Sequence, residues 1–266
     1  MPTTRAFPRR RDWAAIIGYM VQVFSDFAGY SLIAIGCSLL FGIELAPNFD
    51  SPFLSRSLPE FWRRWHMTLN RWLFDYIYGQ LSTGRTWLRG RLDLCMMIVF
   101  LASGLWHGAA ATFVLWGVMH GLGMIVHRRW DEYYRGLCRA DRRYVQRRRS
   151  AGYAFVSWLL TQGFFLLSLV PFRSQSIAQT GRFFTGLVHS SGADRPDIGI
   201  TVGISLLLAF GTVILYHLLD LERWRRFRER FFDLPAWVRG AAYGMVVVFL
   251  MLFVPVGAST FIYRQF

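Results

Sequence analysis

Two histidines stand in apolar surroundings with glycines on either side: His107 in Gly104-Leu-Trp-His-Gly108, and His120 in Gly117-Val-Met-His-Gly121. Ionisable groups within apolar runs are expensive, so each is a candidate for chemistry. A neutral imidazole held there can accept a proton from a hydroxyl or thiol and so activate a nucleophile. The plainer reading is a packing histidine hydrogen-bonded to a neighbouring helix. Haem ligation by paired histidines is a third reading, supported by nothing beyond the histidines themselves. The two lie 13 residues apart, and at 100° per residue that is roughly 220°, nearly opposite faces of one helix. They share a pocket only if the backbone breaks between them, and Gly108 is the weak point.

Asp26, in Phe24-Ser-Asp-Phe-Ala-Gly-Tyr30, is the other costly residue, and an interior Arg or His is expected as its structural partner. His66 follows Phe61-Trp62-Arg63-Arg64-Trp65, a stretch too charged to span a membrane and too aromatic for a plain loop. Arg56 to Tyr78 therefore reads as an amphipathic segment at a membrane interface, with Trp and Phe inward and Arg toward headgroups. His127, His189 and His217 carry no assigned role. No Gly-x-Ser-x-Gly elbow is present to support Ser/His/Asp catalysis.

The elements that must position these groups can be read from hydropathy, since about 20 mostly apolar residues cross a bilayer. Trp13 to Ile43 is long enough. Leu92 to Val126 holds 35 residues with a single acid, Asp93, and reads as two short segments or one span plus a re-entrant piece. Tyr153 to Phe172, Ile198 to Leu219 and Ala241 to Tyr263 are further candidates. The expected fold class is all-α: a multi-pass transmembrane helical protein with five to six membrane passages and one interfacial amphipathic segment. One membrane domain covers 1–266, with a motif-bearing core (13–126), a basic loop (127–150) and C-terminal spans (151–266). His127 to Ser150 holds nine Arg and Leu221 to Arg239 six. Both read as cytoplasmic loops, which puts the milder loop Arg173 to Pro196 on the far side.

Composition agrees with lipid as solvent. Of 266 residues 54% are hydrophobic and 17% charged, against about a quarter charged in soluble domains. All 30 basic residues are Arg, which excludes a Schiff-base lysine and a Walker-type phosphate loop. The +14 charge gathers in blocks between apolar spans, as the positive-inside bias produces, so nucleic acid is not an expected partner. Cys37, Cys95 and Cys138 have no metal-ligand spacing, and no metal is expected.

Taken in order, these segments resemble the membrane-bound O-acyltransferase family, its alginate O-acetyltransferase branch in particular. The run from Ala46 to Leu69, containing Phe61-Trp-Arg-Arg-Trp-His66, looks like that branch's signature stretch, as does Trp72-Leu-Phe-Asp75-Tyr-Ile-Tyr78 after it. Gly104-Leu-Trp106-His107-Gly108 matches the family's histidine motif, and Trp116-Gly-Val-Met-His120-Gly121 matches the family segment that usually comes after that motif. Phe24 to Ser31 and the terminal Phe261 to Phe266 are similar to further family segments. The chain departs from the pattern at Leu32 and at Gly79-Gln-Leu-Ser-Thr-Gly84, and it is about half the family's usual length, so the N-terminal group of spans is expected to be missing.

The resemblance implies acyl transfer, most often acetyl, onto a hydroxyl of an extracytoplasmic polysaccharide or a carrier. His107 would be the catalytic residue, deep in a tunnel, with His66 lining or supporting it. His120 would be auxiliary, with Asp26, Trp106 and Asp75 also in supporting roles. No bound cofactor is expected. The acyl donor would be acetyl-CoA or another acyl thioester, and the partners membrane lipid, the acceptor and a periplasmic acetyltransferase. The location implied is the cytoplasmic (inner) membrane. The alternative is a truncated, non-catalytic membrane component or scaffold for an extracytoplasmic acyltransferase.

Overall fold

The computed structural model describes residues 9–85, 87–188, 210–211, 213–217 and 221–253. They are helical almost throughout. The one β feature among them is an isolated antiparallel bridge between Phe49 and Trp65. The chain divides into two compact units, Met1–Ala209 and Phe210–Phe266.

The first unit opens with α1 (Arg9–Leu39). A loop and a single 3-10 turn lead to α2 (Leu58–Arg64) and α3 (Met67–Leu73). A π-helical turn (Phe74–Tyr78) and α4 (Gly79–Thr83) come after them. Next come α5 (Leu92–His107) and α6 (Ala111–Ala140), then α7 (Arg142–Arg149), α8 (Ala151–Arg173) and α9 (Ile177–Val188).

The centre of this unit is the α5–α6 hairpin. Its helices run antiparallel, as the close pairs Gly104–Phe113, Phe100–Gly117 and Met97–Gly121 require. A Cβ on Gly117 would lie 2.5 Å from the Phe100 carbonyl oxygen, and one on Gly104 would overlap the Phe113 carbonyl. Only glycine lets backbones approach so closely. Gly108 stops α5 at φ +155°, a conformation that other residues rarely adopt. At the opposite end Asp93 accepts hydrogen bonds from Arg128 (2.8 Å) and Arg129 (2.5 Å).

Two features attach the remaining elements to this hairpin. The Trp158 indole N–H donates to the Phe53 carbonyl (2.8 Å), and Gln162 donates to the Ser55 carbonyl (3.0 Å), which fixes the loop before α2 to α8. An aromatic core of Phe24, Phe49, Phe61, Trp65 and Phe165 then fills the space between α1, α2 and α8. Phe61 and Phe165 lie 4.3 Å apart between ring centroids, and both are fully buried.

Several expected loops are helical instead. The basic stretch His127 to Ser150 continues α6 and forms α7. Arg128–Glu132 and Asp131–Arg135 pair at i,i+4 along it, a spacing that stabilises helix. Asp141 caps α7 by accepting from the Arg143 amide (2.8 Å), and Ser150 caps α8 by accepting from Tyr153 (3.2 Å). Residues 177–188 of the expected loop Arg173 to Pro196 form α9, while 189–196 lie outside the described residues.

Leu92 to Val126 is two helices with a break at 108–110. Arg56 to Tyr78 is several short pieces rather than one segment. Its first part has the expected faces, with Phe61, Trp62 and Trp65 buried and Arg63 exposed, whereas Trp72 and Phe74 further along are exposed rather than inward.

In the second unit the expected loop Leu221 to Arg239 also folds, as α10 (Leu221–Phe232) and the start of α11 (Ala236–Phe253). Phe231 meets Tyr243 at 5.6 Å between ring centroids. Most of the expected span Ile198 to Leu219, the end of Ala241 to Tyr263, and the terminal motif Phe261 to Phe266 lie outside the described residues.

Two described helices are long and apolar enough to cross a membrane, Ala15–Leu39 and Ala151–Arg173, with mean hydropathy 1.3 and 1.7. Leu92–His107 and Ala236–Phe249 are shorter apolar helices. Large apolar side chains face outward on several of these helices, among them Ile33 (67% exposed) on α1 and Leu160 (68%) on α8. Surfaces of that kind suit a lipid solvent.

Candidate active site

The break at Gly108 does what a continuous helix could not. It folds α6 back against α5, so His107 and His120 both pack on one indole, Trp116. The ring-centroid separations are 5.4 Å for His107–Trp116 and 4.6 Å for Trp116–His120.

His107 is the last residue of α5, enclosed by Trp106 (4.9 Å), Phe172 (4.9 Å) and Phe113 (6.2 Å). It is 8% exposed. Among the described residues no hydrogen bond reaches its ring nitrogens, so the imidazole is available to another molecule. His66 joins the group from the α2–α3 junction through Trp106, with centroids 5.8 Å apart. Trp106 itself is 54% exposed and stands between the two imidazoles.

The backbone at His66 is left-handed, φ +45°, an uncommon conformation for a non-glycine residue that must be held by its surroundings. Asn48 is the holder. Its side-chain oxygen accepts from the Thr68 hydroxyl (2.6 Å) and amide (3.3 Å), and its amide donates to the Ser31 hydroxyl (3.1 Å). The same oxygen lies 3.4 Å from His66 Nδ1. As Asn48 Oδ1 can only accept, Nδ1 carries the proton and Nε2 keeps its lone pair. Nε2 is buried with no partner among the described residues, and burial pushes the His66 pKa down to about 4. Phe27 packs edge-on against the same ring at 4.5 Å.

His120 is fully buried and differs from His107 in being tied down. Its Nε2 lies 2.9 Å from the Ser168 hydroxyl on α8. Trp62 (4.9 Å), Phe164 (5.2 Å) and Phe100 (5.8 Å) complete the enclosure.

Neither Asn48 nor Ser168 was picked out from the sequence. Asn48 stands in a run flagged as a whole, and Ser168 is one polar residue in an apolar span, without a local signal.

Two expected members stand apart. Asp26 is half-buried on α1, and among the described residues no Arg or His pairs with it. Asp75 is exposed in the π-helical turn and lines a separate groove of about 2000 Å³. Trp62, Arg63, Phe100, Arg148 and Leu160 also line that groove. His66, His107 and His120 do not line it. Among the described residues no group of three or more His, Cys, Asp or Glu is arranged to hold a metal ion.

A helical bundle with outward-facing apolar surfaces and an interior imidazole cluster defines a class, the all-α membrane protein with a polar interior site. The model of the MBOAT family, membrane-bound O-acyltransferases, matches residues 9–170, and the chain belongs to that family. The peptidoglycan O-acetyltransferase of Helicobacter pylori is 34% identical over 184 residues, covering 68% of this chain and 32% of the relative. The Pseudomonas fluorescens protein called "Probable alginate O-acetylase AlgI" is 32% identical over 217 residues, 78% of this chain and 40% of the relative. The teichoic acid D-alanyltransferase of Bacillus subtilis is 33% identical over 129 residues, 45% of this chain and 33% of the relative. The chain thus spans between about a third and two fifths of these relatives' lengths. The α1–α8 region, where the histidines gather, is the part that the family model covers.

Proposed function

We propose that this protein takes part in membrane-bound O-acyl transfer, in the form of O-acetyl transfer to a hydroxyl during modification of an alginate-like exopolysaccharide. The observation that carries the reading is His107: a buried imidazole with no hydrogen-bond partner among the described residues, at the end of a helix stopped by Gly108.

In this reading an acceptor hydroxyl donates its hydrogen bond to a His107 ring nitrogen. The nitrogen takes the proton as the hydroxyl oxygen bonds to the thioester carbonyl carbon. The C–S bond then breaks, and the leaving thiolate recovers the proton from the imidazolium. Trp106, Trp116 and Phe172 keep bulk water from the ring, which favours transfer to the sugar over hydrolysis. His66 supports the site from across Trp106.

The donor in this proposal is acetyl-CoA or another acyl thioester, and a periplasmic acetyltransferase completes delivery to the polymer. The location is the cytoplasmic (inner) membrane, crossed five or six times, with the basic stretch His127 to Ser150 on the cytoplasmic side. The coverage of the relatives favours a second reading, a non-catalytic membrane component or scaffold for an extracytoplasmic acyltransferase. The names of the relatives support the first.

The test is polysaccharide O-acetylation in cells deleted for their own copy, with the chain and its His107→Ala variant at matched membrane levels. The chain is expected to restore acetyl esters and the variant to leave them near background. Equal restoration by both, or by neither, overturns the catalytic reading.

A further inference from the structure

The hydrogen-bond arithmetic at Ser168 assigns it a role that extends the acyl-transfer reading. Its hydroxyl lies 2.7 Å from the Phe165 carbonyl oxygen and 2.9 Å from His120 Nε2. A hydroxyl has one proton, and a carbonyl oxygen can only accept. With that proton given to Phe165, Ser168 Oγ accepts from His120, so Nε2 bears the hydrogen. The opposite assignment would press two lone-pair oxygens together at 2.7 Å in a fully buried site, a costly arrangement.

The other ring nitrogen, Nδ1, is then an acceptor, buried and without a partner among the described residues. Its neighbours suit an acceptor. The indole nitrogens of Trp62 and Trp116 are also buried and have no partner among the described residues, and both rings pack directly on His120. The enclosure therefore holds two N–H donors and one lone pair. The other tautomer would put three N–H donors together and leave the Ser168 contact unsatisfied. Trp116 carries the effect onward, because it also packs against His107.

We propose that Ser168 is a positioning residue: it fixes His120 as the Nε2–H tautomer and, through Trp116, seats His107 for proton transfer. The catalytic half of this statement rests on the acyl-transfer reading; the tautomer half does not.

The experiment uses the full chain in lipid nanodiscs with 15N,13C-labelled histidine. Nitrogen–carbon correlations tell Nδ1 from Nε2, and His120→Gln identifies the His120 signals by difference. Wild type is expected to show a protonated Nε2 and an unprotonated Nδ1 at His120. Ser168→Ala should lose that preference, and Ser168→Thr, which keeps the hydroxyl, should restore it. In the ester-forming assay Ser168→Ala should lower kcat by roughly tenfold or more with little change in KM, as a misplaced imidazole tautomer does.

A proton on Nδ1 in wild type overturns the proposal. So does an unchanged tautomer, or an unchanged kcat, in a folded Ser168→Ala. Should Ser168→Ala fail to fold, the wild-type and Ser168→Thr spectra still decide the tautomer. If wild type forms no ester at all, the acyl-transfer reading fails while the spectra still judge Ser168.

Discussion

At the residue scale the site is three imidazoles in three different states of restraint. His107 has no hydrogen-bond partner among the described residues, His120 is tied to Ser168, and His66 leans on Asn48. The His66 environment sets a pH dependence whose sign can be worked out. Its folded pKa of about 4 lies below the ordinary 6.5, so between those values the unfolded chain binds the extra proton. Acid therefore destabilises the fold, beginning near pH 6.5 and continuing to about pH 4, by roughly 2 kcal/mol at pH 5. Thermal melts at pH 7.5 and pH 5 should show a larger loss for wild type than for His66→Gln. Identical losses would refute the assignment. The histidines were legible because each carries glycine or tryptophan neighbours. Ser168 was not, since its meaning comes from a contact 48 residues away.

At the element scale the α5–α6 hairpin decides which residues meet. The Gly-x-x-His-Gly pattern was readable as small residues for close helix approach, and Gly108 as the place for a break. The pairing of Gly104 with Phe113 was not, because it needs the hairpin's register. That register makes a prediction. Gly104→Ala or Gly117→Ala would push a methyl into a backbone carbonyl and should cost about 2–3 kcal/mol, as overpacking does. Gly136→Ala, in the same α6 helix with nothing within 4 Å, should be neutral or stabilise by up to about 1 kcal/mol. Melting temperatures of the three variants in detergent separate these outcomes, and equal effects would reject the register. The Arg-rich connections fold as helices, which charge density alone does not reveal. The i,i+4 acids Glu132 and Asp131, and the caps Asp141 and Ser150, were helix signals already in the sequence.

At the scale of the whole molecule, the apolar spans Ala15–Leu39 and Ala151–Arg173 should hold the chain in the bilayer. After an alkaline carbonate wash it should stay with the membrane pellet, and detergent should release it. Release by carbonate alone would contradict membrane integration. The all-α class and both of these spans were legible from apolar run length. The docking of α8 was not, since it depends on contacts far apart in the chain. The tight hairpin also bears on the order of assembly during synthesis. Its closest pairs are near neighbours in sequence, whereas the anchors from α8 to Phe53 and Ser55 close separations of 105 and 107 residues. Local contacts form first because little chain entropy is lost in closing them. The shelf carrying His107 and Trp116 is thus ready as soon as α6 leaves the ribosome, and it waits for α8 to arrive and complete the enclosure.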